Sequence, residues 1–524
     1  MSSKFVADLL NNNLDIHGQG AAAPPAFSSF ATPAAADAEI AATKAQLAEI
    51  EKDFQDDPDA VVRRFQQFYQ EETLTAHDVR GWIDTYRFAV DRPDDFAREV
   101  QSGQPSFGIG DWFNRLRAYL HVPPGTSASD QMIVDAVADR FHLDPDIKAE
   151  IKPNIRQFET LDPVWAKELM GKYKEISHEW PKGLSTFRRH TDAGVTSNYI
   201  YERDLPYDGS VGSKVALMAD FGTGYYHASA IARQLFKAKF PFLFHLGDVY
   251  YGGTQEEFNT RFRPQLAAVV KDTQFYGLAE NHELYSGGAA YLQYIDTLRA
   301  HGSTQQEGSY WCVRLKHHQF IGVDVNWNGR QTYYDKELRA WLAHVIESGG
   351  DRTNVLLTGS APYKYGDANR TIILGHLWEF VATKKIHLWF WGDDHYCALF
   401  KRDEAQAPFI GSCIGHAGYP NDKNKYGRKC PVTPLWVETA SRFPAWTRLR
   451  QERGNNGWVQ ANLHADGGID LTYVDWLGAA RYFTMLARPN KGHLVPIGGR
   501  ELGNRDDAMM PPVMHDPHAA KPQG

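Results

Sequence analysis

The sequence predicts an α/β fold, with mixed β-sheets flanked by helices and preceded by an α-helical domain. Three observations carry this. From about residue 195 an apolar run, a helical stretch and a second apolar run follow one another, the β-α-β order of a parallel crossover. Further apolar runs of strand length alternate with helical stretches as far as residue 487. Between about residues 38 and 180 the apolar residues instead recur at three and four, and strand signals are scarce.

Taken in chain order, the first segment is an arm over 1–37. Its HGQGAAAPPAFSSFATPAAAD stretch is small, Pro-rich and nearly uncharged, which suits a flexible tail. A helical domain over 38–195 follows. Val61, Val62, Phe65, Phe68 and Tyr69 form one core-facing stripe there, and Val79, Trp82, Ile83 and Tyr86 form another. The main domain, 196–490, opens with KVALMADFG, a helix in YYHASAIARQLFKAKF, and FLFHLGDVYY. Its next strands are QFYGLAENHE, YWCVRL, HQFIGVDV, TNVLLTGS, HLWFWGDDHY and FIGSCIG. Helices are expected around 255–270, 288–300, 335–347 and 373–385, and antiparallel strands around a Gly-Gly turn over 457–487. Residues 491–524, rich in Pro, Met, His and Asp, read as a loosely ordered tail.

With 524 residues, 43% hydrophobic and 13% aromatic, the chain can bury a large core and has room for more than one domain. A net charge of −8 gives no electrostatic reason to bind nucleic acid or an anionic membrane, and no stretch reaches the length of a membrane span. The four cysteines show no C-x-x-C spacing and are too few for a disulfide framework. MSSKFVADLLNNN lacks the apolar core of a secretory signal, so a cytoplasmic protein, or one exported without such a signal, is expected.

Chemistry is expected where the strands stop. ADFGTG, HLGDVYY, AENHE, TGSAPY and WGDDHY each pass from an apolar run into polar, metal-competent residues, and ligand sites of open α/β sheets lie outside the carboxyl ends of strands. One such aspartate means little, because turns favour Asp and Gly for their own backbone reasons. Five in succession point to a shared site. Asp220, Asp248, Asn281 and His395 are the oxygen and nitrogen donors that a pair of divalent or trivalent cations needs.

On these blocks the sequence resembles the calcineurin-like metallophosphoesterases, and among them the purple acid phosphatase type, over about residues 211–490. Asp220 and Gly222 match its Asp-x-Gly block, Gly247, Asp248 and Tyr251 its Gly-Asp-x-x-Tyr block, and Asn281, His282 and Glu283 its Asn-His-Asp/Glu block. The resemblance implies a sandwich of mixed sheets that hydrolyses a phosphate mono- or diester by metal-activated water. It implies Asp220, Tyr251 and His395 on one metal, Asp248 on both, Asn281 on the other, and His282 beside the phosphate as acid or charge stabiliser. Iron, manganese, zinc and magnesium are not distinguished, nor is occupancy by one ion or two.

The second metal site departs from the pattern. Where the family has Thr-His-His this chain has Thr358, Gly359 and Ser360, and where it has Gly-His-x-His this chain has Gly392, Asp393, Asp394 and His395. The usual glycine before Asn-His is Glu280. Asp393 and Glu280 are therefore candidate oxygen ligands in an altered site, which would favour harder ions. The alternative is a catalytically impaired binding protein on the same fold, with one metal or none.

Other motifs are weaker. Gly222 and Gly224 lack the third glycine of a dinucleotide fingerprint, His227 standing in its place, and Ser360 lacks the flanks of a nucleophile elbow. His416 in GHAGYP is a substrate-side candidate. His245 in FLFHLGD reads as a core histidine, and His515 and His518 lie in the polar tail without a fold to preorganise them.

Overall fold

In the computed structural model the described residues are 33–69, isolated positions between 76 and 87, and 187–502. Within the last range positions 196, 225, 251, 285 and 326 and the stretches 328–335, 366–370, 420–428 and 440–453 are excepted. Most of the predicted helical domain, most of the 1–37 arm and the tail beyond 502 lie outside them. The chain divides into two compact units that part between Trp180 and Pro181.

The first unit shows α1 (Pro33–Asp56) and α2 (Pro58–Tyr69). Both start on proline, whose fixed φ and missing N–H suit a first helical position. Leu47, Ile50 and Phe54 of α1 recur at three and four and are buried, as are Val61 and Val62 of α2. The last five residues of the expected arm are thus helical.

The second unit is the α/β domain. Along the chain come β1 (Ile200–Glu202), β2 (Lys214–Met218), α3 (Tyr226–Ala238), β3 (Phe242–His245), β4 (Gln274–Gly277), α4 (Asn281–Leu284) and α5 (Ala289–Ala300). They are followed by β5 (Tyr310–Arg314), β6 (His318–Val323), α6 (Lys336–Ser348), β7 (Thr353–Thr358), α7 (Ile372–Ala382) and β8 (Leu388–Trp391). The last strands are β9 (Cys397–Phe400), β10 (Ile410–Ile414), β11 (Pro434–Val437), β12 (Gly457–Leu463), β13 (Ile469–Asp475), β14 (Ala480–Ala487) and β15 (Val495–Glu501).

Two mixed sheets result. One has the order β1-β5-β6-β7-β8-β10-β9-β11 and the other β15-β14-β13-β12-β2-β3-β4. β2, β3 and β4 are parallel neighbours, as are β6, β7 and β8, while β12 to β15 form an antiparallel meander. The central parallel strands are buried along their whole length, which is why they appear in sequence as unbroken apolar runs. One continuous core joins the sheets: Leu217, Phe244 and Tyr276 from one pack with Trp311, Phe320, Leu357 and Phe390 from the other. Phe244 lies 4.7 Å from Phe320 and 5.4 Å from Trp311, ring centre to ring centre.

One difference concerns the tail, whose first residues form β15. Its pairing with β14 satisfies the outer backbone of that strand, although most of its own side chains are exposed.

Candidate metal centre

Strand register gathers the predicted loops at one edge. Met218 pairs with His245 and His245 with Gly277, so three neighbouring strands run out together into Asp220, Asp248 and Glu280. In the other sheet Thr358 pairs with Trp391, and the N–H of Gly392 donates to the Gly359 carbonyl at 2.9 Å. Asp220, Asp248 and Asp393 take a left-handed backbone, with φ of 59°, 77° and 60°. Aspartate tolerates that region better than most residues, and strain of this kind concentrates at functional sites. Gly222 lets the first two loops close on each other. Its N–H donates to the Asp248 carbonyl at 3.1 Å, and a Cβ there would stand 2.5 Å from Val249 Cα.

Asp220, Asp248 and His395 each offer a ligand atom, and these atoms lie within 4.8 Å of one another. His395 Nε2 is 3.3 Å from Asp220 Oδ1. Both carboxylates are buried. The hydroxyl of Tyr250 sits among all three, donating to Asp220 Oδ1 at 2.6 Å and lying 3.1 Å from Asp248 Oδ2 and 3.1 Å from His395 Nε2. Arg261 fixes its backbone by donating to the Tyr250 carbonyl at 3.0 Å. Tyr251, the tyrosine expected on the metal, lies outside the described residues. Sequence reasoning did not single out Tyr250, since in a loop no periodicity says which way a ring faces.

Tyr419 was also missed. Its ring stacks on His395 with centres 3.9 Å apart, its N–H donates to the Asp220 carbonyl at 3.0 Å, and it follows directly on GHAG.

Asn281 and His282 open α4. The His282 N–H reaches Asp248 Oδ1 at 3.4 Å, and its ring lies 4.3 Å from that of Tyr250, centre to centre. Glu283 braces the loops, one carboxylate oxygen accepting the N–H of Asp248 at 3.1 Å and of Glu280 at 2.9 Å. Asp393 stands at the rim, its N–H donating to Asp220 Oδ2 at 3.1 Å.

Glu280 is 2% exposed; Oε1 accepts from Ser360 Oγ at 3.0 Å, and Oε2 has no hydrogen-bond partner among the described residues. The Ser360 hydroxyl thus donates to a buried carboxylate. A Cβ at Gly359 would fall 1.7 Å from that same Oε2.

The remaining candidates separate. His416 is buried, with Nδ1 donating to the Ile414 carbonyl at 3.1 Å, and burial lowers its pKa to about 4. His245 lies in the core as expected, ringed by Phe221, Phe262 and Phe275, and burial lowers its pKa to about 3. His515 and His518 lie outside the described residues.

The electrostatics call for a cation. Burial raises the carboxyl of Asp248 well above its usual range, and Asp220, Glu283, Glu280 and Asp393 add to that. Burial and Asp393 do the same to Glu280, and burial raises Glu283 to about 8. Asp220 alone is lowered: burial works against it, and His395 with the Tyr250 hydroxyl more than offsets the penalty. A bound divalent ion inverts this logic by supplying the missing positive charge. The donor set of buried carboxylates, one imidazole and an unpartnered carboxylate oxygen therefore fits a metal.

Comparison with known proteins finds one family description over part of the chain. The family description "calcineurin-like phosphoesterase" matches residues 213–397, the stretch from β2 to the first residue of β9. Among solved structures, a purple acid phosphatase, PPD1, from yellow lupin (Lupinus luteus) seeds is 12% identical. The similarity covers 50% of this chain and 51% of that one, with a TM-score of 0.37, so it spans about half the length of the lupin protein. GAP50 of Plasmodium, described as the anchor in the inner membrane complex, is 12% identical over 56% of this chain and 92% of its own, with a TM-score of 0.38. No curated protein matches the chain in sequence.

Proposed function

We propose that this chain, which carries a calcineurin-like phosphoesterase domain over residues 213–397, is a metal-dependent hydrolase of a phosphate mono- or diester. The observation that carries the reading is the set of Asp220, Asp248 and His395, whose ligand atoms lie within 4.8 Å of one another at the ends of adjoining strands. These three would hold one metal ion, and Asn281 would face a second ion sharing Asp248, as the resemblance implies. Bound metal supplies a Lewis acid for the phosphoryl oxygens and lowers the pKa of water.

The protein's own groups do the rest. The Tyr250 hydroxyl and the Asp393 N–H orient Asp220. Glu283 holds the Asp248 and Glu280 loops in register, and an imidazole nitrogen of His282 delivers a proton to the leaving oxygen. A small phosphoester is the substrate class this supports. Four free cysteines suit a reducing compartment such as the cytoplasm. Among the described residues no helix is long and apolar enough to cross a membrane.

A second reading, binding without catalysis, has one observation in its favour: the Glu280 carboxylate fills the space that a side chain at position 359 would take. One experiment separates the two. Metal content by mass spectrometry and turnover of an aryl phosphate monoester and diester are measured for the parent and for Asp220→Asn, Asp248→Asn, His395→Ala and His282→Ala. The first three variants should lose metal. His282→Ala should keep it and lose turnover by about a hundredfold or more. Full metal content in all three ligand variants would overturn the site assignment, and a metal-loaded parent that hydrolyses neither ester would favour the binding reading.

A further inference from the structure

The outermost strands β1 and β4 of the two sheets meet on one side of the sandwich, where Tyr201 packs on Tyr276 with ring centres 5.7 Å apart. A cavity of about 650 Å³ opens beside them, inside the range of about 300–1,000 Å³ usual for small-molecule sites. It lies away from the metal centre. Gln274, which lines it, is the first residue of β4, and the strand runs from there towards Glu280. β1 is parallel to β5 and β5 antiparallel to β6, so β1 delivers Arg203 to the end of the sheet opposite the one where β7 and β8 finish.

The lining is more positive than its own acids offset. Arg203 and Arg299 both contribute to it, against one carboxylate, Glu307, on a chain whose net charge is −8. Arg203 donates to the Glu202 carbonyl at 2.6 Å and forms no ion pair among the described residues. Arg299 lies 3.8 Å from Asp296 Oδ1, but both oxygens of that carboxylate already accept from Arg188, at 2.7 and 2.8 Å. Glu307 is occupied by the Ser197 hydroxyl, which donates to Oε2 at 2.5 Å. Thr304 Oγ1 accepts the Gln306 N–H at 3.1 Å, which leaves its own proton to donate.

We propose that this cavity binds a small phosphate-bearing anion, held by the guanidinium groups of Arg203 and Arg299 and by the Thr304 hydroxyl. A guanidinium fork fits carboxylate and phosphate alike, but a carboxylate has two oxygens and is filled by one fork, whereas a terminal phosphate has three and can meet donors from two arginines. The site is separate from the metal centre and does not depend on the phosphoesterase reading.

The test uses the full chain stripped of metal and desalted, so that the metal centre, left as a cluster of carboxyl groups and an imidazole, has no metal cation to attract phosphate. Calorimetric titrations with inorganic phosphate, glycerol 3-phosphate and acetate compare the parent with Arg203→Gln, Arg299→Gln and Glu307→Gln. The parent should bind one phosphate-bearing ligand per chain. Each arginine variant should weaken binding by about tenfold or more, the scale of one lost charge-assisted hydrogen bond. Glu307→Gln should strengthen it, because a like charge is removed. Thermal melts without ligand report whether each protein is folded, and the Arg299 side chain is 46% exposed, so its replacement should leave the fold intact.

No saturable binding of either phosphate up to about 10 mM overturns the proposal, since that is weaker than a built site provides. Parental affinity in both arginine variants overturns it as well, and so does acetate binding as tightly as inorganic phosphate. Weakening in the arginine variants together with tightening in Glu307→Gln upholds it. A preference for glycerol 3-phosphate over inorganic phosphate then assigns an esterified ligand, and the reverse preference assigns the free ion.

Discussion

Tyr250 shows how much one hydroxyl can do at the residue scale. It touches Asp220, Asp248 and His395 together, and its own pKa is pushed far up by burial and by the two carboxylates. A metal ion in the same set would favour the phenolate instead, as bound cations do for acidic ligands. Protein loaded with ferric ion should therefore show a visible tyrosinate charge-transfer band. Tyr250→Phe should abolish that band and Tyr251→Phe should leave it. The opposite pattern in the visible spectrum would assign the ligand to Tyr251. Asp220, Asp248 and His395 were legible in the sequence because each follows an apolar strand by a few residues. Tyr250 and Tyr419 were not, since they reach the site from loops in which only tertiary packing decides which way a ring faces.

At the scale of elements, the site depends on how closely two strand-to-helix loops approach. Gly222 pairs with Val249 across the gap between the ends of β2 and β3, and its carbonyl accepts the Tyr250 N–H at 2.9 Å. Gly222→Ala would place a carbon 2.5 Å from Val249 Cα, backbone that cannot swing aside as a side chain would. The loops must part, at a cost of about 1–3 kcal/mol or more. The variant should melt lower than the parent and bind metal more weakly, since Asp220 and Asp248 ride on those loops. Unchanged melting and metal affinity would mean that the loops are not held this close. The buried strands β2 to β8 and β10 were readable as apolar runs for the same reason they are central. β1, β11 and β15 were not, because they are short or exposed, and pairing with a neighbour rather than their own pattern makes them strands.

For the molecule as a whole, the acids at the site couple its stability to pH. Without metal, Asp248, Glu280 and Glu283 hold protons to higher pH in the folded chain than carboxyls of the unfolded chain do, Glu283 to about 8. Between about pH 4, where unfolded carboxyls titrate, and the raised folded values, the native state binds more protons, so stability falls as pH rises. Buried histidines such as His227, His245, His318 and His416, whose pKa burial lowers, act the other way over the same range, so the acids' share is read against a variant. In denaturant melts, chelated parent should lose more stability, or gain less, from pH 5 to pH 8 than chelated Glu283→Gln. Saturating metal should shrink that difference, and an identical pH response in both proteins would contradict the buried acid cluster. The left-handed backbone at Asp220, Asp248 and Asp393 has an evolutionary consequence as well. Asparagine and glycine are the replacements that such a backbone accepts most readily, and each is a single base change away from an aspartate codon. A lineage can thus switch off the chemistry at any of the three positions while its fold persists, leaving an intact scaffold free to acquire another use.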